Sequence, residues 1–121
     1  MWFRLSRRVT AIVLAATFPV LAAPADVERE IAYLLNYIQE SGCTFLRNGV
    51  ESPAVGARNH VQRKFNAVED RVRSAEDFIQ LAASKSTVSG EPYRAHCGGH
   101  DMLTGEWLMQ ELARYRGRLA R

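Results

Sequence analysis

From residue 9 to residue 21 the chain is almost continuously apolar, interrupted only by Thr10, Thr17 and Pro19; beyond that run the apolar positions become periodic. Ile31, Leu34, Leu35 and Ile38 recur at i, i+3, i+4 and i+7, which predicts a helix with one buried stripe. Asp26 is placed to cap it, Glu28 and Glu30 suit its positive end, and Ser41-Gly42 stops it. Cys43 to Arg47 alternates as a strand does. Asn48-Gly49 then supplies two residues that tolerate positive φ, the signal for a tight hairpin, with Val50-Glu51 starting the return strand.

Ser52-Pro53 reads as the N-cap and first position of a second helix, whose inward face is Ala57, Val61, Phe65, Val68 and Val72. Ser74 caps a third helix with Asp77 in the capping-box place, and Phe78, Ile79, Leu81 and Ala82 form its apolar face. Lys85 to Pro92 is a polar loop with two breakers. Tyr93 to Cys97 predicts a further strand, Gly98-Gly99-His100-Asp101 turns the chain, and Thr104 caps a last helix burying Trp107, Leu108, Leu112 and Tyr115. The Arg-rich end from Arg114 complements that helix's negative terminus. No internal repeat or low-complexity tract is visible in the sequence.

This order describes one small α+β domain of about four helices with a short antiparallel hairpin or sheet, residues 26–121, after an N-terminal signal helix. Residues 1–25 have the anatomy of a secretory leader: Arg4, Arg7 and Arg8, a short apolar stretch, then the small residues Ala22, Ala23 and Ala25. Thirteen apolar-run positions fall short of the roughly 20 a spanning helix needs, so no stable membrane insertion is expected once the leader is removed. Cleavage fits after Ala25, with Ala22 the alternative. Val9-Thr10-Ala11 lacks the bulky pair that usually follows twin arginines, which favours the general secretory route into the periplasm.

Export changes two readings. Three of the 16 basic residues lie in the leader and none of the 13 acids does, so from Asp26 onward the formal charge is zero and the nucleic-acid footprint suggested by a pI of 9.2 disappears. In an oxidising compartment, Cys43 and Cys97 are expected to form a disulfide. If both lie in paired strands, those strands run antiparallel, because only then do the start of one and the end of the other meet. Cys43 and Phe45 would then share a face with Tyr93, Ala95 and Cys97, packed on the helices.

A series of short motifs carries a family resemblance. Phe45-Leu46-Arg47-Asn48-Gly49-Val50-Glu51, Ala57 with His60-Val61-Gln62-Arg63-Lys64, Ser74-Ala75-Glu76-Asp77-Phe78-Ile79, and Ser89-Gly90-Glu91-Pro92-Tyr93 resemble the YfeK-like family of exported bacterial proteins. The likeness spans roughly residues 27–116. At Ser52 the chain departs from the family, which often has a ring-bearing residue there. The resemblance implies periplasmic residence and one compact fold of unknown function, and it brings no catalytic residues.

Site chemistry must therefore be argued from residue types. His60 has an imidazole suited to proton transfer near neutrality, and its simpler role is a boundary histidine bonded to a carbonyl or water. Arg47, Arg63 and Lys64 meet an anionic ligand if the hairpin lies over the second helix; otherwise they pair locally with Glu51, Glu69 or Asp70. Asn48, Lys85 and Tyr93 complete the ligand-binding candidates. A Cys2His2 zinc site from Cys43, His60, Cys97 and His100 would need reduced thiolates, so no metal is expected. No P-loop, dinucleotide fingerprint or haem motif is present, and no cofactor is expected. Two functions follow: a non-catalytic binding or interaction module of the cell envelope, with an envelope protein or small ligand as partner, or a small periplasmic hydrolase using His60 as base with Glu51 or a loop serine.

Overall fold

The computed structural model describes residues 10–15 and 24–121. Arg4, Arg7, Arg8, Ala22 and Ala23 lie outside the described residues, as does most of the apolar run; residues 10–15 are exposed and carry no regular structure. The elements run α1 (Pro24–Glu40), β1 (Thr44–Arg47), β2 (Val50–Pro53), α2 (Ala54–Val68), α3 (Ala75–Ala82), β3 (Arg94–Cys97), β4 (His100–Leu103) and α4 (Thr104–Leu119), with a 3₁₀ turn at Glu69–Arg71. The α+β reading holds. The sheet has four antiparallel strands in the order β2-β1-β3-β4.

Each element follows from its residues. Ile31, Leu34, Leu35 and Ile38 of α1 are all buried, and Ser41 Oγ caps the Ile38 carbonyl at 2.7 Å before Gly42 turns away at φ 66°. Asn48 (φ 50°) and Gly49 (φ 77°) make the first hairpin turn, and Gly98 (φ 55°) and Gly99 (φ 83°) make the second. Phe45 and Ala95 face one another across the central pair and bury against the helices, while Leu46 and His96 face outward. Cys43 and Cys97 are bridged, with Cα atoms 4.5 Å apart. Such a bridge belongs to an oxidising, non-cytoplasmic environment. No helix among the described residues is long and apolar enough to cross a membrane.

Four local expectations are corrected. Helix α1 begins at Pro24, so Asp26 lies in its first turn instead of capping it; proline's fixed φ suits a first helical position. Ser52 and Pro53 pair with Phe45 and Thr44 in β2, and α2 starts at Ala54, because extended Pro53 (φ −67°, ψ 165°) can close an edge strand. Val72 lies beyond α2, which ends at Val68 before the 3₁₀ turn. His100 and Asp101 belong to a fourth strand, so the residue at the cap of α4 is Leu103, and Thr104 is its first helical residue.

The fold also contains a repeat that the sequence conceals. Helix, hairpin, helix occurs twice, and the β1–β2 pair Thr44↔Pro53 has its counterpart 50 residues on in the β3–β4 pair Arg94↔Leu103. In the central pair, Phe45 lies opposite Ala95, its own counterpart, so a local two-fold axis passes through that point. One step outside the paired residues, the bridge Cys43–Cys97 closes one end of β1–β3. The counterparts of those cysteines, Tyr93 and Arg47, stand at the other end.

Candidate functional site

That other end holds a cluster of polar side chains. Arg47 is the last residue of β1, Tyr93 directly precedes β3, and His60 and Lys64 lie one turn apart on the face of α2 that covers them. The Asn48-Gly49 turn is fixed from outside: Asn48 donates to Ser86 Oγ at 3.2 Å and accepts from Ser89 Oγ at 2.6 Å. Ser86 is buried and also accepts from the Ser89 amide, which makes the 85–92 loop a compact latch on the hairpin. The hairpin does lie beside the second helix, as anion binding by these residues requires.

Arg47 Nη1 sits 2.6 Å from His60 Nδ1 and 3.2 Å from Nε2. A guanidinium only donates, so the shorter contact assigns an unprotonated Nδ1 and places the ring hydrogen on Nε2. Nε2–H then donates to Tyr93 Oη at 3.1 Å. Lys64 Nζ donates to the same hydroxyl at 3.2 Å and to the Lys85 carbonyl at 2.6 Å, while lying 5.0 Å from the Tyr93 ring centroid. With two donors arriving at its oxygen, the Tyr93 hydroxyl hydrogen is left to point elsewhere.

Electrostatics follow from that crowding. Burial, then the charges of Arg47, Lys64 and Arg63, hold the His60 pKa at about 4, so the ring is neutral at physiological pH. Burial and Arg47 lower Lys64. Burial raises Tyr93 against an opposing pull from Arg47. None of the ion pairs among the described residues includes Arg47, Arg63 or Lys64.

Beside the cluster a crevice runs between the sheet and α2, lined by Arg47, His60, Tyr93, Ser52 and Thr104 and by the apolar Ile38, Phe45, Leu46, Ala57 and Val61. It encloses about 30 Å³ of room for water and, with its open mouth, about 370 Å³ free of atoms. Of its lining residues Arg47 and His60 are half-buried and Thr104 is only 2% exposed, while Lys64 belongs to the cluster and lies outside the crevice. Among the described residues, Thr104 Oγ1 is the buried side-chain polar atom with no hydrogen-bond partner.

The other candidates are dispersed. Lys85 contributes its carbonyl, while its exposed side chain lines a separate groove between α3 and α4; Arg63 is exposed on α2 outside the crevice. Glu51 pairs with Leu46 and occupies the open face of the sheet with His96 and Asp101, opposite His60. The zinc set fails because Cys43 and Cys97 are bonded to each other. Sequence reasoning missed Thr104, taken for a cap, and the role of Ala57, whose counterpart in the second half is Trp107. Trp107 fills its half of the core against Phe45 and Tyr37, whereas the methyl of Ala57 leaves space.

A small α+β domain with a two-fold hairpin sheet and an apolar crevice beside a cationic cluster is thus the class of protein described. The chain belongs to a family of unknown function, DUF5329, whose pattern matches residues 25–116. It is 35% identical over 84 residues to the uncharacterised protein YfeK of Salmonella typhimurium strain LT2, covering 68% of this chain and 70% of that protein. The resemblance read from the motifs is therefore correct. No solved structure matches the chain.

Proposed function

We propose that this chain is an exported, non-catalytic binding module of the cell envelope, and that the crevice at the Arg47 end of the sheet receives an anionic group. One observation carries the reading: Arg47 is oriented by a neutral imidazole where a carboxylate would ordinarily do that work. The guanidinium is held in place yet its charge is left uncompensated. The remaining donors of Arg47 and Lys64 are open to an acceptor, and an anion relieves the repulsion that Arg47 exerts on its neighbours. Export rests on the leader composition and agrees with the disulfide.

These contacts favour binding over the alternative hydrolase. His60 Nδ1 is occupied by a guanidinium hydrogen, Nε2 carries a proton, and Glu51 lies on the opposite face of the sheet. Calorimetric titration with phosphate, sulfate and simple carboxylates tests the proposal. Binding in the micromolar to millimolar range is expected, with Arg47→Gln weakening it about 10- to 100-fold, the worth of a charge-assisted hydrogen bond. Absence of binding by every anion, or equal binding by the variant, would overturn it.

A further inference from the structure

We infer that the anion is a small aliphatic monocarboxylate, with its head on Arg47 and a saturated tail of about two or three carbons in the crevice. This deepens the reading of an anion site at the Arg47 end of the sheet and rests on it. The head follows from what Arg47 has left to donate. His60 engages Nη1, so Nε and Nη2 remain for a planar acceptor with two oxygens, the shape a guanidinium holds bidentately. Arg47 and His60 both line the crevice, so a head bound there sets its tail against the apolar walls.

The tail follows from those walls. They are formed by Ile38, Phe45, Ala57 and Val61, all buried, and the Thr104 hydroxyl among them is sealed. Water in such a space finds few hydrogen-bond partners and is poorly held, and an apolar group that displaces it gains affinity. A second carboxylate, an ammonium or an amide beside the head would be desolvated against these walls without a partner. That excludes diacids, amino acids and peptide termini. Size sets the length, because about 30 Å³ of enclosed room holds roughly two water-sized groups. The internal repeat points the same way. Ala57 stands where the other half has Trp107, whose ring packs on Phe45 and Tyr37, so a methyl group keeps the first half open.

The test is calorimetric titration of the full chain with acetate, propionate, butyrate, hexanoate, N-acetylglycine and phosphate, with amide chemical shifts at residues 47, 57 and 61 marking the site. Each methylene from acetate to butyrate is expected to tighten binding about 3- to 4-fold, the worth of a buried CH₂. Hexanoate should bind no tighter than butyrate, and N-acetylglycine and phosphate should bind more weakly. Ala57→Leu, which fills the crevice, should flatten the series to the level of acetate. Val61→Ala, which enlarges it, should move the optimum beyond butyrate; thermal melts establish that each variant is folded, and either one alone decides the point. A flat series from acetate to butyrate, affinity still climbing at hexanoate, tighter binding of N-acetylglycine or phosphate, or an unchanged series in a folded variant would overturn the inference while leaving an anion site intact. Failure of all six probes overturns both.

Discussion

Asn48 holds a left-handed conformation, φ 50°, that residues other than glycine adopt at a cost, and its side chain is bonded to both Ser86 and Ser89. These two roles separate by substitution. Asn48→Ala loses the side-chain bonds and the tolerance of positive φ; Asn48→Gly loses only the bonds. Urea denaturation should therefore show the alanine variant less stable than the glycine variant by about 1 kcal/mol. His60 offers a second residue-scale expectation. Its folded pKa of about 4 lies below the ordinary 6.5, so the unfolded chain binds the proton more readily between these values. The contribution is complete above pH 6.5 and is lost as pH falls toward 4. Denaturation measured across that window should show a steeper decline for the native chain than for His60→Gln, and equal slopes would contradict the buried neutral imidazole.

Elements were legible wherever a residue's local chemistry and its tertiary place agree. The stripe of α1 and the Asn48-Gly49 turn are examples, since helix period and positive φ are properties of short segments. Strand β4 was not legible. His100-Asp101-Met102-Leu103 carries little strand propensity, and it becomes a strand because the Gly98-Gly99 turn delivers it to the free edge of β3. Ser52-Pro53 misled for the opposite reason: its local preference for a helix start was overridden by pairing with Phe45 and Thr44. In the site, Arg47, His60, Lys64 and Tyr93 were readable as candidates from their types. That they converge depends on strand register and on the latch between hairpin and loop. Thr104 escaped notice because an unpaired hydroxyl is defined by what surrounds it.

At the scale of the molecule, the local two-fold axis puts a covalent bridge at one end of the central strand pair and the cationic cluster at the other. The two ends do different work. The bridge closes a loop across a sequence separation of 54, for which the chain-entropy model gives about 4 kcal/mol, acting mainly on the unfolded chain. The cluster is held by Arg47–His60, His60–Tyr93 and Lys64–Lys85 contacts and by the Asn48 latch, none of which touches a cysteine. Replacing both cysteines by serine should therefore lower unfolding stability by about 2–4 kcal/mol, read from urea denaturation, since reinforcement is much of what a domain of this size has. Anion affinity of the fraction still folded should change by less than about 3-fold, because the groups that bind and the contacts that place them lie on the far side of the axis. A loss of affinity as large as that of Arg47→Gln would mean that the two ends are coupled through β1 and β3, and that the bridge sets the site's geometry as well as the stability of the fold.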